Sequence, residues 1–445
     1  MTRTLILSIT ATALLATAAV AQTPVTLTMG GAARMAVERT AGPEAARLRR
    51  DQAAQRVRQQ KASFLPNVGA VASDGERTFN SASFGISFAD PATGKSMFDP
   101  NGQVLGPVKT WDLRGSLQQS LLNPSAFARL RAAEASHDAS AQQANSVAQQ
   151  AAAAAAAAYV RAAHAEALLA ALSADSSLAA DLLGIARAQL DAGVGVALDV
   201  TRAQAQLSVT HSQLIAARAE RDRNQISLAR AAGLPLGTTI ALADSLPAAA
   251  VTELPDATAA MRTASASRAD LAAANAEALA AERSLQAARA DALPALSLYV
   301  DQGVTGKATQ HMLSTYTWGL QLSVPVFDGF RRTSRNDEAR LAVRQADVQR
   351  RDLEEQVAAD VSSALLDLKA ASELLVASEE RVSLAGQELS QARDRFSAGV
   401  TGNADVITAQ LALNAARTQA IDARASLQLA RVSLARAQGT ITDLP

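Results

Sequence analysis

Two stretches of this sequence have nearly the same pattern: AGVGVALDVTRAQAQL at 192–207 and AGVTGNADVITAQLAL at 398–413. Gly193 and Gly399 occupy matching positions, as do Asp199 and Asp405. A glycine at the end of a helix readily adopts the left-handed conformation that stops it. An aspartate near the next helix start can accept backbone N–H bonds and lies at the positive end of the helix dipole. The pattern therefore predicts two helix–turn–helix reversals in one chain.

The repeated turn belongs to a larger internal duplication. ASFLPNVGAVA at 62–72 resembles ADALPALSLYV at 290–300, and WDLRGSLQQSLLN at 111–123 aligns with YTWGLQLSVPVFD at 316–328. Each half therefore predicts a helix, two strands, a long helix, a turn and a second helix. An insertion separates the two strands of the first half. The predicted divisions are a signal peptide at 1–21, a first repeat at 22–233, a linker at 234–253, a second repeat at 254–440 and a C-terminal tail at 441–445.

Composition excludes several functional classes. The chain has 445 residues with 42 basic and 42 acidic side chains, so no positive surplus suggests a nucleic-acid partner. It has no cysteine, which excludes disulfides, thiolate metal sites and cysteine nucleophiles. The four histidines lack partners at metal-ligand spacing, and no phosphate-binding glycine loop or nucleophile elbow occurs. We therefore expect no catalytic residue, no cofactor, no metal site and no enzymatic activity.

The N-terminus has the features of a secretory signal. Arg3 precedes an apolar stretch that ends in small residues, and cleavage is predicted between Ala21 and Gln22. A retained membrane anchor is the alternative, which the short and threonine-rich apolar run disfavours. We expect no membrane-spanning helix in the rest of the chain. Any insertion into a membrane should therefore use strands.

The strand segments alternate between apolar and polar residues. From Tyr316 to Val326 every second residue is apolar, and SFGISF at 83–88 is predicted to be a strand. In 111–121 the apolar residues Trp111, Leu113, Leu117 and Leu121 fall on one face. Such alternation is typical of membrane β-barrel strands, with a half-buried soluble sheet as the alternative. The export signal and the aromatic residues near strand ends favour the barrel. Trp111, Tyr316 and Trp318 are predicted to form its membrane girdle.

Four strands cannot close a barrel, since about eight is the practical minimum. Open sheet edges are not tolerated in hydrocarbon. The chain must therefore share its barrel with copies of itself. Two copies would give eight strands and three would give twelve.

The longest helices should be nearly uninterrupted. The segments 125–190 and 330–397 contain no proline and one glycine each, so each is predicted to be one helix about 100 Å long. Breaks at several points are the alternative. Asn123, followed by Pro124, and Asp328 are predicted N-caps. Gly30 and Gly31 are expected to fray the first short helix.

The helix after each turn carries a seven-residue repeat, which predicts a coiled-coil seam. In the second copy, large apolar residues alternate with alanine. The alanine run at 151–158 has no large side chain, so that helix can contact neighbours on two sides. Helices with two narrow seams favour a curved wall over the alternative, a solid bundle. The seam positions are Val406, Leu413, Ala420, Leu427 and Leu434, together with Ala409, Ala416, Ala423, Ala430 and Ala437.

Taken together, these features resemble the TolC-type outer-membrane channel family, the outer membrane factors. The residues that carry the resemblance are FLP at 64–66, SRADL at 267–271 and the repeated AGV, DV and AQ elements of the two turns. The resemblance implies an α+β membrane protein with two tandem structural repeats. Three chains would share a 12-strand β-barrel in the outer membrane of a Gram-negative bacterium. A long α-helical coiled-coil barrel would continue it into the periplasm.

The resemblance also implies function and partners. The protein would be the exit duct of a tripartite efflux or type I secretion system. Its partners would be two further copies of itself, a periplasmic adaptor, an inner-membrane pump and outer-membrane lipid. The alternative is a periplasmic adaptor or another exported coiled-coil structural protein. An adaptor would have one hairpin and a glycine-rich β module, which the duplication and the alternating strands disfavour.

Functional residues carry over by position. Asp405 and Asp199 match the pore constriction at the hairpin tips, and Thr408 stands where some members have a second acidic residue. The competing interpretation of both aspartates is simple helix capping. The adaptor-contacting tips would comprise Gly193, Val194, Gly195, Gly399, Val400 and Thr401.

Overall fold

The computed structural model describes residues 25–84, 90–93, 99, 101–246, 254–398 and 400–444. Its two halves follow the predicted order of elements. The first half comprises β1 (Val25–Leu27), α1 (Met29–Arg39), α2 (Ala41–Ala62), β2 (Asn67–Asn80), β3 (Val104–Leu122), α3 (Pro124–Asp191) and α4 (Ala197–Ala231). The second comprises β4 (Ile240–Leu242), α5 (Ala257–Ser267), α6 (Ala269–Ala290), β5 (Ala295–Gly306), β6 (Leu313–Ser323), α7 (Arg331–Ser397) and α8 (Asn403–Gln438).

Four long strands form one antiparallel sheet in the order β2-β3-β5-β6. Val300 of β5 lies opposite Leu117 on one side and opposite Trp318 on the other. Opposite residues share a face, so the apolar positions of three strands form one surface. That surface is exposed on the chain, with Trp318 at 66% and Leu320 at 62% exposure. The predicted alternation in β3, β5 and β6 is therefore confirmed.

The other face of the sheet is polar. Arg114 is its central residue: the guanidinium donates to Asp112 at 3.1 Å, to Thr315 at 3.2 Å and to Asp301. These partners come from β3, β5 and β6, so one arginine links three strands. Polar groups that are paired in this way tolerate a partly dehydrated face.

Both long helices are continuous, as predicted. Helix α3 has 68 residues and α7 has 67. The Asn123 side chain caps α3 by accepting the Ala126 N–H at 2.9 Å. The Asp328 prediction is wrong, because the N-cap residue of α7 is Phe330, which has a left-handed φ of 67°. Asp328 lies two residues before this N-cap, and its carboxylate accepts the Arg332 N–H at 3.2 Å.

The helices pack through small residues. All ten predicted seam positions of α8 are buried. The clusters they form include residues of α5, of α7 and of the C-terminal part of α3. In the alanine run, Ala155 and Ala158 pack with α1 and α4, whereas Ala152 and Ala156 pack with α8. The expected two-sided contact of α3 is therefore confirmed. Close approach on both sides is possible because alanine leaves the backbones nearly bare.

Helix α1 is intact, which corrects the expectation of fraying at its glycines. The Thr28 Oγ1 atom caps it by accepting the Gly31 N–H at 3.0 Å. Gly30 and the neighbouring Ala32 and Ala33 are buried. The entropic cost of glycine is offset here by the cap and by tertiary packing.

Two local expectations are wrong. Ser81–Phe84 forms a short 3-10 helix rather than the start of a strand, because the strand lies upstream in β2; the rest of 83–88 lies outside the described residues. The expected linker contains β4, which pairs in parallel with β1. A third expectation, that no membrane-spanning helix occurs, is also not met: among the described helices, α3 is long and apolar enough to cross a membrane by length and composition.

The start of α6 is fixed by an ion-pair group. The Arg268 guanidinium contacts Asp270 at 2.6 Å and Asp360 of α7 at 2.9 Å. Burial tends to raise the pKa of Asp270, but its bonds to Arg268 hold that pKa below the ordinary value. This group lies in the SRADL segment and connects α6 to the middle of α7.

Candidate pore constriction at the hairpin tips

The first reversal ends α3 with a complete Schellman motif. Gly193 has a φ of 73°, its N–H donates to the Leu190 carbonyl at 3.0 Å, and the Val194 N–H donates to the Gln189 carbonyl at 3.0 Å. Gly195 closes the turn. A Cβ atom there would lie 2.9 Å from the Leu190 nitrogen, so the backbone passes too close for any side chain.

The second reversal uses the same hydrogen bond. The Val400 N–H donates to the Arg395 carbonyl at 3.0 Å, which matches the Val194 bond of the first copy. Gly399, predicted to be the left-handed residue here, lies outside the described residues, as do Ala21 and Gln22 of the predicted cleavage site. The duplicated sequence therefore gives a duplicated backbone bond.

Both tips expose apolar side chains. Val194 is 81% exposed and Val400 is 68% exposed. Thr401 is half-buried, and its Oγ1 atom has no hydrogen-bond partner in the described part of the chain. The two valines lie at the ends of the hairpins, where they are available to a partner.

Asp199 and Asp405 both lie in the first turn of a helix, but neither is its N-cap. Those positions belong to Val196 and Gly402. The Asp199 carboxylate lies 3.8 Å from Arg202, whereas Asp405 is exposed and makes no hydrogen bond or ion pair within the described ranges. Simple capping therefore does not explain either residue, although both complement the helix dipole.

Thr408 lies one turn beyond Asp405 on the same exposed face of α8. Its hydroxyl donates to the Ala404 carbonyl at 2.9 Å, within the helix. The negative charge at the start of α8 therefore depends on Asp405.

Sequence reasoning missed the contact between the two tips. Asn403 is buried, and its Nδ2 atom donates to the Asp199 carbonyl at 3.4 Å. The matching residue of the first copy is Ala197. An asparagine where the other repeat has alanine was the available signal, because a buried polar side chain requires a partner.

A second missed feature ties α3 to α8 further from the tip. Arg417 contacts Asp175 at 3.2 Å, and the Asp175 side chain is only 2% exposed. Burial raises the pKa of Asp175, and the nearby Arg417 charge opposes the shift without cancelling it. Gln410 is buried nearer the tip, with no partner for either amide atom among the described residues.

The predicted girdle residues lie on the sheet. Tyr316 and Trp318 are exposed on β6, opposite Gln302 and Val300. Trp111 lies opposite Gly306 of β5, and the Lys109 Nζ atom lies 5.5 Å from its ring centroid. No group of three or more metal-ligating side chains occurs among the residues that the structure describes.

A family model described as outer membrane efflux protein matches residues 44–234 and 260–440. The chain belongs to the outer membrane efflux protein family. Members of this family are channels of the outer membrane and not enzymes. The chain is therefore placed in the outer membrane, with its helices extending into the periplasm.

Solved structures of the same architecture come from several bacteria. The outer-membrane channel CmeC of Campylobacter jejuni is 16% identical, with a TM-score of 0.76 over 93% of this chain and 85% of its own. VceC of Vibrio cholerae is 18% identical, with a TM-score of 0.75 over 92% and 96%. An open-state structure of MtrE from Neisseria gonorrhoeae is 17% identical, with a TM-score of 0.75 over 92% and 88%. No curated protein matches the sequence.

Proposed function

We propose that three copies of this chain form the exit duct of a tripartite efflux or type I secretion system. The single observation that carries the proposal is a four-stranded sheet with two open edges and an exposed apolar face. Such a sheet would be a liability in water. It becomes stable when neighbouring copies pair the edges and lipid covers the apolar face.

The resemblance to TolC-type channels favours three copies and a 12-strand barrel. The sheet is antiparallel throughout, so β6 of one copy runs antiparallel to β2 of the next. The same contact can then repeat around a closed ring. The paired hairpins α3–α4 and α7–α8 of each copy would form the wall of the periplasmic tunnel.

The hairpin tips supply the constriction and the docking surface. Asp405, unpaired and exposed at the start of α8, would form a ring of carboxylates with its copies and attract cations. Asp199 would add charge from the other hairpin, partly screened by Arg202. The exposed valines Val194 and Val400 would contact a periplasmic adaptor, which connects the duct to an inner-membrane pump.

One pair of substitutions tests the barrel. Leu320 lies on the apolar face and Gln321 on the polar face of the same strand. In a membrane barrel, Leu320→Arg costs about 2–4 kcal/mol near the bilayer midplane, whereas a residue facing the interior tolerates the charge. We expect Leu320→Arg to abolish recovery of an oligomer from the outer membrane and Gln321→Arg to preserve it.

The opposite outcome is equally informative. If the apolar face met water, Leu320→Arg would be harmless, because exposed surface substitutions change stability by about 0.5 kcal/mol or less. Normal levels of the Leu320→Arg protein in the outer-membrane fraction would contradict the proposal. The purified wild-type oligomer should also conduct ions in planar bilayers, and a stable, non-conducting monomer would refute it.

A further inference from the structure

A basic pocket lies where the sheet meets the long helices. Its volume is about 310 Å³, and its lining includes four arginines and two aspartates: Arg129, Arg331, Arg332, Arg335, Asp291 and Asp328. Ala295 and Ser323, which are paired across β5 and β6, also line it. By strand alternation these two residues share the face of Asp301 and Thr317. The pocket therefore borders the polar side of the sheet.

The arginines of α7 occupy an electrostatically unfavourable position. Three of them fall within the first five residues of the helix, and its first turn contains no acidic residue. A helix start carries a partial positive charge, which disfavours basic side chains. Arg331 and Arg335 are also four positions apart, where like charges repel by a few tenths of a kcal/mol. A nearby negative charge would relieve both effects.

The two aspartates are already engaged by other groups. Asp328 binds Arg332 through Nε at 3.0 Å and accepts the Arg332 backbone N–H. Asp291 accepts hydrogen bonds from Ser125 and Arg129. Burial tends to raise the pKa of Asp291, but these bonds and the charges of Arg129 and Arg335 hold it below the ordinary value. Both carboxylates are therefore already bound by groups of the chain itself.

Two guanidinium groups of the pocket, those of Arg331 and Arg335, have no close acidic partner among the described residues. Arg331 is largely exposed, and its Nε atom comes no closer than 3.8 Å to the Asp328 carboxylate, which Arg332 also binds. Arg335 makes no hydrogen bond or ion pair in the described part of the chain, although its charge reaches Asp291. The N-cap Phe330 offers no side-chain acceptor to the first N–H groups of α7. Asp328 accepts one of these N–H groups, from Arg332, but it does not pair Arg335. A guanidinium without an acceptor, beside a second one held only loosely, is the kind of donor that phosphate oxygens bind.

We propose that this pocket binds a phosphate-type oxyanion. Two sources carry that chemistry: a soluble phosphate compound inside the duct, and the headgroup of a phospholipid at the membrane boundary. The polar side of the sheet suits the first source. Phe327 and Phe330, both exposed and stacked edge-to-face at 5.5 Å, bring an apolar surface near the second. The location in a duct rests on the proposed function, whereas phosphate binding does not.

Equilibrium dialysis with radiolabelled inorganic phosphate tests the site on the full-length protein in a neutral maltoside detergent. We expect saturable binding that the double variant Arg331→Gln/Arg335→Gln weakens at least about tenfold, because it removes both guanidinium groups that would donate charged hydrogen bonds to phosphate. Arg344→Gln removes an exposed arginine lower on α7 and should leave phosphate binding unchanged. Circular dichroism verifies that all variants keep their helices.

Different outcomes separate the sources and the two proposals. Phosphatidylglycerol in mixed micelles should compete with phosphate if a lipid headgroup reaches the pocket, and should not compete if the ligand is soluble.

Absence of saturable binding to the wild type, or equal loss in the double variant and Arg344→Gln, overturns the site. If the double variant fails to fold, Arg331→Lys/Arg335→Lys keeps the charge and should bind phosphate more weakly than the wild type; unchanged binding overturns the site. Ion conductance of the same preparation reports on the duct separately.

Discussion

The helices that begin at the two ends of the molecule differ in the charge of their first turns. At the tips, α4 and α8 carry Asp199 and Asp405 in their first turns, as the helix dipole favours. At the foot of the sheet, the first turns of α3 and α7 contain no acidic residue, and α7 opens with arginines. The tips are therefore electrostatically self-consistent. At the membrane end Asp328 compensates for Arg332, but Arg335 has no ion-pair partner in the described part of the chain. Such a local conflict between charge and helix dipole is typical of functional sites.

Helix α6 shows a third arrangement between these ends. Its N-cap residue is Arg268 and its first turn contains Asp270, so cation and anion neutralise each other within three residues. This start requires no external charge. The three arrangements make distinct predictions.

The largest effect is expected where the neutralisation is internal. Arg268→Ala should destabilise the protein by about 2–4 kcal/mol, because it leaves Asp270 and Asp360 without their cation. The carboxylates are about one-third exposed, which keeps the cost below that of a fully buried pair. Thermal unfolding followed by circular dichroism measures the loss. Arg283→Ala, which removes a half-buried arginine whose bond to Gln286 lies at the surface, should change stability by less than about 0.5 kcal/mol.

Arg268→Ala should also change how the free energy of unfolding declines at acidic pH. A carboxylate with a lowered pKa stabilises the folded state above its ordinary pKa of 3.8 and loses that contribution as the pH falls further. Without Arg268, burial would raise the pKa of Asp270 against only the weaker opposing effect of the backbone N–H groups of Asp270 and Leu271. The decline should then begin at higher pH. Identical acid limbs in the two proteins would mean that Arg268 is not what neutralises this helix start.

The tip depends on shape as well as charge. Gly195→Ala places a Cβ against the last turn of α3 and should cost about 1–3 kcal/mol locally. Amide hydrogen exchange at Gln189 and Leu190 should then lose protection. Gly184→Ala, in open space within the same helix, should instead stabilise it by about 1 kcal/mol. Unaltered exchange in Gly195→Ala would show that the reversal tolerates a side chain.

The charge of the tip is tested by Asp405→Asn. If the proposed carboxylate ring exists, this change should weaken block by divalent cations about tenfold in planar bilayers, which corresponds to about 1.4 kcal/mol. Asp222→Asn, on the exposed side of α4, serves as the matched control. Unchanged block would reduce Asp405 to a residue that complements the helix dipole, and the contrast between the two ends would then lack a transport role.

The smallest effect concerns a carboxylate far from any helix start. The pKa of Asp175 is raised, so its ionisation disfavours the folded state as the pH rises from 3.8 through that raised value. Asp175→Asn should therefore match the wild type near pH 3.8 and be slightly more stable at pH 7. Asp181→Asn, at an exposed position of α3, should show no such pH-dependent difference in stability from the wild type. A less stable Asp175→Asn protein at pH 7 would mean that Arg417 outweighs burial.

Much of the fold could be predicted because it depends on local periodicity. The alternating strands, the proline-free long helices and the alanine seam of α8 each repeat one rule over many residues. Gly193 and the duplicated turns were visible for the same reason, since only a left-handed residue ends a helix in that way.

The remaining features depend on contacts between distant segments. The pairing of β1 with β4 joins three-residue strands that carry no pattern of their own. Phe330 displaces Asp328 from the cap of α7 because two consecutive left-handed residues redirect the chain. Asp175 and Arg417 are 242 positions apart, and a sequence reading cannot place them together.

The open edges of the sheet have a genetic consequence. If each ring draws three chains at random from a cell that makes equal amounts of normal and edge-defective protein, only about one ring in eight contains no defective chain. A lesion confined to β2 or β6 should therefore be dominant-negative, whereas a null allele of the same gene should be recessive.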